Sequence, residues 1–153
     1  LHQDYLTGIR QAAEKFQLDP ALLHIVSMPV ASIAAGGAVK PLLCSHTGIT
    51  AILSTDALTT CGIRSALTEL GLRIPDEISL ISIGESTLFS FLRPSLTTVC
   101  SQEPPRGFVV KAVEILMNRL QNPSHLRRIV YFGTPQVMVR ESTRFLRHTT
   151  QEK

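Results

Sequence analysis

Apolar residues recur along this chain with two different periods, and their alternation predicts a layered α/β fold. In residues 4–16, Tyr5, Ile9, Ala12, Ala13 and Phe16 fall at three- and four-residue intervals, the stripe of an amphipathic helix, and Leu18-Asp19-Pro20 stops it. Residues 22–28 (LLHIVSM) form a short apolar run ended by Pro29 and read as a buried strand. Ser32 is placed to cap a second helix through Leu43, with Pro41 expected to distort its last turn. Residues 50–54 (TAILS) read as the next strand, and Asp56 stands at a helix N-cap position. A helix over 57–70 follows, carrying Leu58, Cys61, Ala66, Leu67 and Leu70 on adjoining faces and ending at Gly71, a suitable left-handed terminator. Residues 78–83 (ISLISI) make the third strand after the turn at Pro75-Asp76.

Helix and strand thus alternate from residue 4 to residue 83, at lengths suited to right-handed crossovers and a Rossmann-like parallel sheet with flanking helices. Beyond residue 84 the rhythm changes. Residues 94–99 (PSLTTV) are extended, Pro104-Pro105 open a helix to about Leu120, and Asn122-Pro123 close it. Two short strands are expected at 129–132 and 136–139, and a polar, frayed tail at 147–153.

Composition narrows the class. With 153 residues the chain supports one ordinary core or a piece of a larger domain. Fifteen Lys and Arg against 12 Asp and Glu leave a net charge of +3, too little for this segment to bind a phosphate backbone by itself. Cys44, Cys61 and Cys100 are odd in number and widely spaced, which points to buried free thiols in a reducing, cytoplasmic setting. No apolar run approaches the ~20 residues of a membrane helix. The chain opens inside a helix pattern without Met, so its natural start is expected upstream.

A search for chemistry finds no G-x-S-x-G, H-E-x-x-H, G-x-x-x-x-G-K or G-x-G-x-x-G, and no histidine spacing that suits a metal. Neither enzyme nor cofactor is expected. Gly36-Gly37 lies in a helix pattern, where it indicates close packing. His24 reads as a core or edge residue, and Arg127-Arg128 with Arg119 and Arg106 as solvated helix ends. The informative polar residues follow strands: Asp56 after 50–54, Glu85 after 78–83, and residues 27–31 after 22–28. In an open parallel sheet ligands bind beyond the carboxyl ends of the strands, so these groups mark one candidate edge.

The string itself then resembles a known family. Thr50-Ala51-Ile52, Asp56, Gly62-Ile63-Arg64-Ser65-Ala66-Leu67, residues 71–79 (GLRIPDEIS), residues 94–99 and Val139-Arg140-Glu141-Ser142-Thr143 are similar, in order, to the sensing domain of LacI/GalR transcription regulators, and Gly8 to Ala13 look like its first distal helix. The resemblance implies a periplasmic-binding-protein-like type I fold, here partial, with an effector between two subdomains. It implies residues 1–83 as most of the C-terminal subdomain without its first strand, 84–128 as a segment of the N-terminal subdomain, 129–146 as the return, and 147–153 as the tail. It further implies homodimers that reach operator DNA only through a headpiece absent from this chain, and a sugar or sugar-phosphate effector; the alternative is a periplasmic sugar-binding protein of an importer. The positions of the effector contacts fall at Asp56, Glu85, Tyr5, Thr55 and Ala31, of which Asp56 matches the family's residue and Glu85 is displaced by one position: Tyr5 stands where the family has Arg, Thr55-Asp56 where it has Asn-Asp, Gly84-Glu85 near its Gly-Phe-Asp, and Ala31 where an aromatic stacks on a sugar. Leu58, Leu88, Phe89, Phe91 and Leu92 are the candidates for the dimer interface, with intradomain core as the competing role for the cluster after residue 84.

Overall fold

The computed structural model describes residues 2–28, 34–46, 48–122 and 133–145. The element order is α1 (His2–Lys15), α2 (Ala35–Ser45), β1 (Ala51–Ser54), α3 (Ala57–Glu69), β2 (Ser79–Ile83), β3 (Thr97–Ser101), α4 (Pro105–Gln121) and β4 (Pro135–Met138). The four strands form one sheet in chain order. β1, β2 and β3 run parallel, with Ser54 beside Ser82 and Ile83 beside Val99. β4 returns antiparallel on the edge, Thr98 facing Met138 and Ser101 facing Pro135.

Most of these elements start and stop where the sequence puts them. Asp56 caps α3 with its carboxylate on the Thr59 amide, and the helix ends before Gly71 at φ +70, a conformation that glycine adopts without a Cβ penalty. α2 runs on through Pro41 to Ser45, whose hydroxyl donates back to the Leu42 carbonyl at 3.2 Å. Its observed N-cap is Ala34, without a side-chain bond; Ser32, the expected cap, lies outside the described residues.

The strand expected at 22–28 does not form. The Asp19 carboxylate accepts from the Ala21 amide at 2.9 Å and starts a 3-10 turn over Pro20–Leu22, after which residues 23–28 join no ladder. Leu22 and Ile25 are 73% and 45% exposed. An apolar run becomes a strand only when a neighbouring backbone pairs with it, and among the described residues the sheet ends at β1. A second difference concerns the thiols. Cys44 and Cys61 are exposed on α2 and α3 rather than buried, and all three cysteines are free. The strand expected at 129–132, Arg127-Arg128 and the tail at 147–153 lie outside the described residues.

The core lies between the sheet and the α2–α3 pair, where Ala35, Val39, Ile63, Leu67, Ile78, Leu80, Phe89 and Leu96 pack together. Residues after 84 stay with this sheet at first. A 3-10 turn over Thr87–Ser90 inserts Phe89 into the core, and β3 then pairs with β2. α4 differs from the other helices of the sheet layer in that none of its residues is buried; Val109, Leu116 and Leu120 are more than half exposed. No helix among the described residues is long and apolar enough to cross a membrane.

Parallel strands covered on their faces usually read as runs of Val, Ile and Leu, yet this sheet buries hydroxyls. Ser54, Ser82, Thr97, Thr98 and Ser142 are all at or below 2% exposure. Each has a partner, since no buried side-chain nitrogen or oxygen among the described residues lacks one. Ser142 makes four bonds. Its amide donates to the Ser95 carbonyl (2.9 Å), its carbonyl accepts from the Leu80 amide (2.9 Å), and its hydroxyl donates to the Leu80 carbonyl (2.6 Å) and accepts from the Thr97 amide (2.8 Å).

The contact between α2 and α3 supplies a direct test. A Cβ on Gly36 would sit 2.7 Å from the Gly62 carbonyl oxygen and 3.0 Å from the Ala66 Cβ, whereas one on Gly37 would meet nothing within 4 Å. Gly36→Ala is expected to cost about 1–3 kcal/mol through overpacking against backbone. Gly37→Ala is expected to be neutral or to stabilise by up to about 1 kcal/mol. Urea unfolding of the two variants checks the contrast, and equal effects would refute the close approach.

Candidate functional site

Parallel pairing brings the carboxyl ends of β1 and β2 side by side, so Thr55-Asp56 and Glu85 emerge at one edge of the sheet. Asp56 is half-buried there and heavily used. Its Oδ1 accepts from the Thr59 amide at 2.9 Å and its Oδ2 from the Thr59 hydroxyl at 2.5 Å. Its carbonyl accepts from the Thr60 amide (3.0 Å) and the Thr60 hydroxyl (2.6 Å), and that hydroxyl is 2.9 Å from the buried Ser82 hydroxyl. The start of α3 is thereby tied to the end of β2, and Asp56 cannot move without releasing the helix cap.

Glu85 follows Gly84, whose φ of +98 turns the chain out of β2 while its amide donates to the Val99 carbonyl at 2.8 Å. The Glu85 carboxylate is occupied inside the protein. Arg140 Nη2 donates to both of its oxygens at 3.2 Å, and the Thr98 hydroxyl donates to Oε2. Arg140 and Thr98 were not singled out as site residues by their sequence positions. The available signal was a threonine pair, Thr97-Thr98, in a strand that buries both, together with an arginine in the Val139 to Thr143 string.

The remaining candidates separate. Thr55 is exposed at the same edge; Tyr5 is half-buried on α1 and shares no hydrogen bond with either carboxylate among the described residues; Ala31 lies outside them. Of the interface candidates, Leu88 and Phe91 are 69% and 77% exposed and Leu58 48%, while Leu92 packs against the core. Phe89, at 1%, belongs to the core, because the 3-10 turn points it inward beside Leu80 and Leu96. His24, expected within a strand, is exposed and lies against His46 with ring centroids 4.4 Å apart.

Next to Arg140, the Glu141 carboxyl is held below the ordinary carboxylate range, first by the Ser95 amide (2.8 Å) and then by the Ser95 hydroxyl (2.9 Å). Because its folded pKa is depressed, this contribution to stability is present above the unfolded pKa and is lost as pH falls through the folded one. Two surface grooves of about 440 and 310 Å³ lie elsewhere, one along the start of α4 (Pro104, Arg106, Val110) and one on the outer side of α3 (Cys61, Arg64, Leu92). Among the described residues no three His, Cys, Asp or Glu side chains come together as a metal site would require. What the strand edge offers is hydrogen-bond acceptors and hydroxyls held rigidly at a helix start, suited to recognising a polar small molecule.

A family model described as a periplasmic binding protein-like domain matches residues 2–143. Among curated relatives, the HTH-type transcriptional repressor PurR of Photobacterium profundum is 33% identical over 97 residues, covering 63% of this chain and 28% of the relative. The PurR of Aliivibrio salmonicida is 31% identical over 109 residues, or 71% and 32%. The chain therefore spans less than a third of the length of these relatives. Among solved structures, a LacI family transcriptional regulator from Enterococcus faecium with bound ribose superposes with a TM-score of 0.75 at 21% identity, over 93% of this chain and 51% of that one. A LacI family regulator from Arthrobacter in complex with lactose gives 0.60 at 27%, over 78% and 44%.

The cap geometry predicts how position 56 responds to substitution. Asp56→Ala is expected to lose about 1 kcal/mol of stability with the cap, while Asp56→Ser keeps a capping oxygen and stays within about 0.5 kcal/mol of the parent. Thermal unfolding of the two variants decides it, and equal losses would show that the carboxylate is not acting as a cap.

Proposed function

Because this chain belongs to the periplasmic binding protein-like domain family, in the form carried by LacI-type transcription regulators, we propose that it senses a sugar or sugar-phosphate effector and dimerises, within a protein whose DNA-reading headpiece lies outside this sequence. The observation that carries the reading is the shared edge at which Thr55, Asp56 and Glu85 leave adjacent parallel strands in a chain of this family. The ribose and lactose bound in two structural neighbours favour a sugar over other polar molecules. Thr55 and Asp56 face the effector, with Tyr5 of α1 and Ala31 as further contributors; Glu85 borders the same edge. The importer alternative gives way to the regulator, because the curated relatives are transcriptional repressors, and for the same reason the domain is a sensor rather than an enzyme.

In this reading residues 1–83 belong to the C-terminal subdomain, 129–146 return to it, and the segment 84–128 crosses to the N-terminal subdomain only after β3, with α4 as the part that lies there. The exposed apolar side of α4 favours that division. Effector binding then changes the relative pose of two subdomains and, through a homodimer in the cytoplasm, the spacing of two headpieces on operator DNA. Such coupling requires contacts that differ between the poses.

A thermal-shift screen of sugars and sugar phosphates on the full-length protein, D-ribose and lactose first, tests the effector class. A ligand present at 100 times its Kd is expected to stabilise by about 2.7 kcal/mol. Asp56→Ser, which retains the cap, should abolish that shift; an undiminished shift would remove Asp56 from the site, and no shift with any sugar would end the sugar assignment. For the interface, Leu88→Asp and Phe91→Asp should convert dimers to monomers in sedimentation, and a dimer that survives both would exclude this surface.

A further inference from the structure

Five ion pairs occur among the described residues, and they differ in exposure. Lys40 with Glu69, Arg73 with Glu77, Lys111 with Glu114 and Arg144 with Asp76 each have both partners at 36% exposure or more, a setting in which solvent screens most of the attraction. Arg140 with Glu85 is the exception, at 16% and 30%. It also joins residues 55 positions apart in sequence, which follow the ends of two strands that are not neighbours, because β3 lies between β2 and β4.

Every polar contact of the pair is directional. Arg140 Nη2 spans both Glu85 oxygens, Nη1 donates to the Leu96 carbonyl (2.6 Å) and lies 3.4 Å from the Thr98 hydroxyl, and the Thr98 hydroxyl donates to Glu85. The Arg140 amide donates to the Thr97 hydroxyl at 2.9 Å, so backbone and side chain are both fastened across β3. Bonds between charged partners are shorter-ranged in their tolerance of misplacement than screened charges, and breaking one leaves a half-buried charge unpaired.

We infer that Glu85, Arg140 and Thr98 form a latch that couples the loop leaving β2 to the strand returning from α4, so that displacement of one end loosens the other. Glu85 is a positioning residue of the strand edge, acting through Arg140, rather than a free carboxylate awaiting a ligand. Its consequence rests on the proposed sensing role: a change in where α4 and β4 sit is delivered to the loop beside Asp56, and an effector that disturbs that loop reaches β4 by the same bonds. The latch itself requires no effector.

The test is hydrogen exchange on the full chain without ligand, comparing Glu85→Gln, Arg140→Gln, Arg140→Lys and the Glu85→Gln/Arg140→Gln double variant. Three amides are followed: Gly84, bonded to Val99; position 140, bonded to Thr97; and Leu67, in the buried part of α3. Either Gln variant should speed exchange at both Gly84 and position 140 by about tenfold, with Leu67 unchanged. The double variant should exchange no faster than either single one, and Arg140→Lys, which keeps charge but not the two-pronged geometry, should fall between. A rise confined to the substituted side, a rise shared equally by Leu67, or a double variant whose effect multiplies the single ones would each overturn the proposal. Failure of the sugar screen would leave these outcomes untouched.

Discussion

Ser142 holds together three pieces of chain that would otherwise end in open peptide groups. At the amino ends of β2 and β3 the neighbouring backbone is the segment after β4, and one serine occupies the junction with its amide, carbonyl and hydroxyl all bonded to Leu80, Ser95 or Thr97. A buried amide or carbonyl left without a partner costs roughly as much as several ordinary hydrogen bonds contribute, so the junction admits few other side chains. Its position sets the rest. With Ser142 seated, Glu141 reaches the Ser95 amide and Arg140 lies along β3 toward Glu85. The string from Val139 to Thr143 is therefore a closing seam for the sheet as well as one of the strings that carry the resemblance to LacI-type regulators.

Legibility in the sequence followed the range of the interactions. The helices and the strands β1 and β2 could be read because their signals are local: an apolar stripe, Asp56 three residues before the amide it caps, Gly71 at the end of α3. Residues 22–28 are as apolar as the strands but have an Asp19-Pro20 turn in front and join no ladder of the described sheet, and composition cannot report whether a neighbouring strand is in place. Gly36-Gly37 was legible as a packing motif, although only Gly36 meets the other helix. The cysteines on α2 and α3 show the limit of residue averages, which favour burial while helix rotation decides each case.

The candidate edge was legible in outline and not in chemistry. Strand ends placed Thr55-Asp56 and Glu85 together, as the parallel order requires. That Glu85 already has a partner could not be read, since Arg140 is 55 positions away and is brought near by an antiparallel return that the alternation of elements does not announce. A strand-end carboxylate is thus ambiguous until its surroundings are known: Asp56 serves a helix start, Glu85 serves a neighbouring strand, and each restricts how the edge can accommodate a guest.

The hydroxyl-lined interior of the sheet has a calorimetric consequence. Exposing methyl groups on unfolding raises the heat capacity, whereas exposing polar groups lowers it, so a sheet that buries Ser54, Ser82, Thr97, Thr98 and Ser142 in place of aliphatic side chains has a smaller heat-capacity increment. Its free energy then varies less steeply between cold and warm conditions than that of an aliphatic sheet of equal size. Burying hydroxyls in the sheet therefore flattens the stability curve slightly, in addition to what their hydrogen bonds contribute.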